Sequence, residues 1–175
     1  MPYKHSKNYN KENMALAIGL SLPISTKHSI EICSFIRNMN LVKAKDLLKE
    51  VIEEKKAIPF KRHRGDVGHK KGKIGSGRYP KKASLEIIKL LTNIETNAQF
   101  KGLNTTNLFI KHIFANKASR QWHYGRKRRR KMKRTHIEII VEERATEEEK
   151  KGIKEETKEA KKPTKLVPKT GGFQA

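Results

Sequence analysis

The chain has 175 residues, 41 of them Lys or Arg against 18 Asp or Glu, for a formal charge of +23. That length suits one domain with appendages rather than two full domains. The single cysteine, Cys33, excludes an intramolecular disulfide and a Cys-based zinc site, and the longest apolar stretch, residues 14–24, is too short to cross a bilayer, so no membrane partner is expected.

Residues 1–13 read as an N-terminal extension. Lys4, Lys7 and Lys11 precede the apolar stretch as in a secretory signal, but Gly19, Ser21 and Pro23 interrupt the run and no small-x-small cleavage pattern follows. A strand in the body of a cytoplasmic protein accounts for it better. Ser25 and Thr26 are placed to cap a helix with Ile30, Cys33 and Ile36 at helical spacing, ending near residues 38–40. In a second helix Leu41, Ala44, Leu47, Leu48, Val51 and Ile52 share one face, and the charged residues mostly take the other, Lys49 with Glu53 forming an i,i+4 pair. Pro59 is expected to end this helical region.

Residues 60–80, FKRHRGDVGHKKGKIGSGRYP, hold five glycines and show no period of two or three and a half. They predict a loop without regular structure, of the kind that is functional or ordered by a partner. Lys81 opens the strongest helix, with Ala83, Ile87, Leu90, Leu91, Ile94 and Ala98 on one stripe and Lys101-Gly102 as its stop signal. Residues 108–115 and 136–142 then read as strands. In the second, Ile137, Ile139 and Val141 alternate with His136, Glu138 and Glu142, the pattern of a sheet covered on one face only. The fold class is therefore α+β, a small antiparallel sheet packed on three helices, with a long basic β-hairpin extension. The domain spans 14–143; residues 144–175, rich in Glu, Lys, Thr and Pro, read as a disordered charged tail. The sequence able to form a core is only about eighty residues, near the size where single cores become marginal.

The charge is concentrated in two segments that lack a core pattern. Between Lys61 and Lys82 nine basic residues face only Asp66, and between Lys117 and Arg134 ten face no acid at all. The second block joins the two strands, so it forms the hairpin arm, residues 116–135, with a turn expected at Tyr124, Gly125 and Arg126. So dense a block repels itself unless a polyanion lies alongside, and the common polyanion is nucleic acid. Trp122, His123 and Tyr124 beside the arginines favour RNA, since flat rings stack on bases while guanidinium groups pair with phosphates. A nuclear-import signal or a solvated turn would explain the charge but not the rings. In the 60–80 loop the glycines fit a backbone that approaches a sugar-phosphate surface closely, Lys61, Arg62, Arg64, Lys70, Lys71, Lys73 and Arg78 supplying charge. It is no nucleotide site of Walker type, because Gly72-Lys73 is followed by Ile74.

Nothing in the sequence points to an enzyme, a metal or a cofactor. His63, His69, His112, His123 and His136 lie in basic loops or strands, with no H-E-x-x-H motif and no recognisable Ser-His-Asp arrangement. Cys33 fits a small apolar residue on a buried helix face.

Several segments in order are similar to the universal large-subunit ribosomal protein family called L twenty-two in bacteria and L seventeen in eukaryotes. They are Leu22-Pro23-Ile24-Ser25, Ile58-Pro59-Phe60-Lys61-Arg62, Gly77-Arg78-Tyr79-Pro80-Lys81-Lys82, Asn93, Asn97-Ala98, Lys101-Gly102-Leu103, His112-Ile113, Asn116-Lys117-Ala118 and His136-Ile137-Glu138. The glycine-rich insert resembles the archaeal and eukaryotic branch. The resemblance implies a ribosomal, cytoplasmic location, binding to large-subunit rRNA, neighbouring large-subunit proteins near the tunnel exit, and a hairpin whose tip meets the nascent peptide in the exit tunnel. With it the expected rRNA-binding set takes in Tyr79, Lys81, Lys82 and Asn116 beside the loop cations. On the arm the set comprises Lys117, Arg120, Trp122, Tyr124, Arg126, Lys127, Arg128, Arg129, Arg130, Lys131, Lys133 and Arg134. The competing reading is a free-standing architectural nucleic-acid-binding protein that uses a basic β-arm.

Overall fold

In the computed structural model, which describes residues 9–10, 12–72 and 74–144, a three-stranded antiparallel sheet carries three helices. Its strands are β1 (Met14–Leu22), β4 (Leu108–Lys117) and β5 (Thr135–Glu143), in the order β1-β5-β4, so the last strand in the chain is the central one. Facing residues Ala15 and Val141, Ala17 and Ile139, and Gly19 and Ile137 set the β1–β5 register. On the other side Ile110 faces Val141, Ile113 faces Ile139 and Ala115 faces Ile137. A register irregularity between Ile110 and His112 lets Ile110 and Ile113, three residues apart, reach the same face despite the two-residue period of a strand.

Helices α1 (Thr26–Ile36), α2 (Leu41–Ile52) and α3 (Lys81–Phe100) cover that face, α3 lying on β1, α1 on β4, and α2 on α3. The stripe expected on α3 is buried throughout: Ala83, Ile87, Leu90, Leu91, Ile94 and Ala98 all lie in the core. Gly19 allows the close approach of α3, because a Cβ there would stand 2.7 Å from a Leu22 methyl and 2.9 Å from a Leu90 methyl. A Lys45–Glu95 ion pair joins α2 to α3 at the margin of the core.

The local expectations need four corrections. Ser25 occupies the N-cap of α1, but its side chain makes no capping bond. Thr26 instead shares a 2.9 Å hydrogen bond between hydroxyls with Thr135, whose hydroxyl also donates to the Ile24 carbonyl at 3.0 Å. Thr26 is thus the first helical residue rather than a cap, and its hydroxyl serves a tertiary link to β5. Second, α2 ends at Ile52, well before Pro59; Glu54 takes the left-handed conformation (φ 63°), and Pro59 belongs to a short strand. Third, Lys49 pairs with Asp46 at 3.0 Å, one turn back, and Glu53 with Lys55 at 2.6 Å. Fourth, Glu138 is only 1% exposed and Ile140 is buried as well, so the second sheet face is not simply solvated. β5 is flanked on both sides, and its side chains are shielded by cross-strand neighbours, Ile18 and Phe114 standing opposite Glu138.

Candidate nucleic-acid interface

The 60–80 segment is not structureless. Strands β2 (Ile58–Pro59) and β3 (Gly77–Arg78) pair at its mouth, Ile58 facing Arg78 and Pro59 facing Gly77. Further in, Phe60 N–H donates to the Ser76 carbonyl at 2.9 Å, Lys70 N–H to Gly75 at 3.1 Å, and His69 bridges to Ser76. The sequence hid this because two-residue strands have no period to read.

The loop root is tied to the body by Phe60, which lies in the core, and by Glu31, the one acid of α1. It is 2% exposed, and its carboxylate accepts three consecutive backbone N–H bonds, from Lys61 at 3.0 Å, Arg62 at 2.9 Å and His63 at 2.7 Å. Charge-assisted bonds of this kind are about twice as strong as neutral ones. With their backbone fixed inward, the side chains of Lys61 and Arg62 remain exposed, as do those of Arg64, Lys70, Lys71 and Arg78. Lys73 lies outside the described residues. Tyr79 is half-buried, with the Lys70 ammonium 5.3 Å from its ring centre. Lys82 is exposed, while Lys81 pairs with Glu54 at 2.8 Å and fastens the start of α3 to the end of α2. Both side chains of that pair are exposed, so its value is positional, since surface pairs contribute little stability.

At the hairpin, regular pairing ends where Lys117 faces Thr135. Beyond it the two limbs keep contact through fewer bonds. Ala118 N–H donates to Arg134 at 3.2 Å, Met132 N–H to Gln121 at 2.8 Å and His123 N–H to Arg130 at 2.9 Å, and Trp122 bridges to Lys131. The chain reverses through a single 3-10 turn, Gly125–Lys127, with Gly125 at φ 61°, where glycine carries no Cβ penalty. Arg128 N–H closes that turn on the Gly125 carbonyl at 3.1 Å.

Side chains divide the arm into braces and exposed cations. Arg120 donates to the Met132 carbonyl at 2.9 Å and to the Lys131 carbonyl at 3.0 Å, spanning the limbs, and Arg134 donates to the Ser21 carbonyl at 2.9 Å, tying the base of the arm to β1. The Lys131 ammonium sits 4.5 Å from the Trp122 ring centre. Arg126, Lys127, Arg128, Arg129, Arg130 and Lys133 are exposed, as is Lys117, while Asn116 is half-buried in β4. Trp122 is 58% and Tyr124 88% exposed, so two large rings stand in solvent beside the arginine run. Water is a poor partner for such rings, and a nucleobase is a good one.

Sequence reasoning missed Lys27, His28, Glu31 and His63. They line or brace a groove between α1, the loop root and the hairpin base. The available signal was Glu31 itself, an acid set between Ile30 and Ile32 on a helix otherwise without acidic residues. Cys33 is 2% exposed, and burial pushes its thiol up to about 12, against smaller opposing effects of Arg37 and a backbone hydrogen bond, so it carries no thiolate chemistry. Among the described residues no three His, Cys, Asp or Glu side chains converge as a metal site, and no helix is long and apolar enough to cross a membrane.

The sequence profile described as ribosomal protein L22p/L17e matches residues 17–142. Three archaeal proteins named large ribosomal subunit protein uL22 are similar to the chain. That of Methanococcus aeolicus is 47% identical over 148 residues, covering 81% of this chain and 95% of its own. The Methanocaldococcus jannaschii protein is 42% identical, covering 80% and 94%, and that of Archaeoglobus fulgidus 41% identical, covering 79% and 94%. The match runs from within β1 to the penultimate residue of β5 and takes in all three helices, and the chain belongs to the ribosomal protein L22p/L17e family, in its archaeal type.

Proposed function

We propose that the domain of residues 14–143 binds large-subunit rRNA through its 60–80 loop and its hairpin arm, and that the end of the arm lines the peptide exit tunnel. As a member of a ribosomal protein family the chain is a structural constituent of the ribosome and not an enzyme. The observation that carries the finer reading is the pairing of exposed rings with exposed arginines at the end of the arm: Trp122 and Tyr124 lie next to the run Arg126 to Arg130, whose only other use would be to repel itself. The arm is braced from within by Arg120 and from below by Arg134, so its exposed cations are presented on a positioned support. Neighbouring large-subunit proteins near the tunnel exit are the further partners this reading implies.

Two measurements test it. On sucrose gradients the protein should remain with large subunits through a high-salt wash; a free pool with affinity for duplex DNA would favour the architectural nucleic-acid-binding alternative. A thiol-reactive crosslinker on Tyr124→Cys should label stalled nascent chains. The buried Cys33 does not compete for the reagent. Labelling of rRNA alone, with no nascent chain at any chain length, would refute the tunnel assignment and leave rRNA binding standing.

A further inference from the structure

We propose that the groove between the first turn of α1, the root of the 60–80 loop and the base of the hairpin is a seat for an RNA phosphodiester, a contact at which α1 joins cations of the loop root and hairpin base, away from the end of the arm. This rests on the rRNA-binding reading above and names the chemical group that this face takes.

The groove is a cavity of about 1060 Å3, ample for a nucleotide. Three segments far apart in sequence bring cations to it: Lys27 from α1, Arg62 and Arg78 from the loop, and Lys117 and Lys133 from the hairpin base. Asp66 is the one acid among its lining residues. Convergence of like charge costs folding free energy, and an anion in the groove offsets it.

The start of α1 repeats the point. Its first turn contains no acid, holds Lys27, and receives no capping bond from a side chain. A cation there opposes the helix dipole, whereas a phosphate complements it. The imidazoles supply an independent observation. His63 Nε2 is buried in the wall of the groove with no hydrogen-bond partner among the described residues. A buried polar atom without a partner is costly, and a phosphate or ribose oxygen would satisfy it. His28 is held below its usual range by burial first, then by Arg78, Lys133 and His63, as expected of a ring in a positive potential. Rings also line the groove: His28 meets Phe60 edge-on, ring centres 5.5 Å apart, with the Arg78 guanidinium 6.0 Å from the Phe60 ring. Cations together with rings suit a sugar-phosphate unit.

The test is filter binding of the full chain to deproteinised large-subunit rRNA over a range of salt concentrations. Lys27→Glu reverses a groove cation that lies outside both basic segments. Lys43→Glu makes the same change on the exposed face of α2 and serves as the control. Lys27→Glu should weaken binding by about tenfold and reduce the salt slope by about one or more, while Lys43→Glu stays within about twofold of wild type. Because an acid is favourable in the first turn of a helix, the melting temperature of Lys27→Glu should hold or rise, which separates lost contact from lost fold. If Lys27→Glu binds like Lys43→Glu while the combined Arg128→Glu, Arg129→Glu, Arg130→Glu variant is weakened, the groove proposal is overturned and rRNA binding by the arm stands. If all of these variants bind as wild type, both fail.

Discussion

At the scale of single residues, Glu31 carries more consequence than its surroundings advertise. A carboxylate on the buried side of a helix would ordinarily be costly, and here three consecutive backbone N–H groups compensate it. Glu31→Ala should destabilise the domain by about 1 to 3 kcal/mol in urea unfolding, because it leaves those donors without an acceptor. Amide exchange at residues 61–63 should accelerate in the same variant. Unchanged exchange there would show that the loop root is held by other contacts. The place of Glu31 between Ile30 and Ile32 marks the position in the sequence, but only the arrival of the loop backbone beside the helix gives it this role. Cys33 is the opposite case, since its place on an apolar helix face was readable from spacing, and burial accounts for its unreactive thiol.

Among the elements, α3 was the most legible and the 60–80 segment the least. The α3 stripe repeats at helical spacing from Ala83 to Ala98, long enough for periodicity to speak. Leu91 and Ile94 are fully buried on a helix that packs against both β1 and α2. Leu91→Ala should therefore cost about 2 to 5 kcal/mol of stability, and rRNA affinity should fall only where the domain itself unfolds. Wild-type stability in this variant would contradict the helix-on-sheet core. The short strands β2 and β3 left no such trace, and neither did the bulge in β4, because each is decided by what lies opposite. The end of α2 teaches the same lesson: proline was the visible stop, yet the helix ends earlier at a left-handed glutamate.

For the whole molecule, the question is how independent the basic arm is of the body. Combined Arg128→Glu, Arg129→Glu and Arg130→Glu should weaken rRNA binding and flatten its salt dependence while moving the melting temperature little, because these side chains are exposed and outside the core. A large fall in melting temperature would mean that the end of the arm supports the fold. The α+β class, the helices, the two long hairpin strands and the two basic segments were determined by the sequence alone, since burial periodicity and charge density are local properties. The tertiary structure decided which strand is central, why Glu138 is buried, and how Lys27, His28 and His63 come to share a groove with residues of the loop and hairpin. Those facts depend on contacts between segments as far apart as Thr26 and Thr135, and spacing along a single chain does not encode which distant segment arrives.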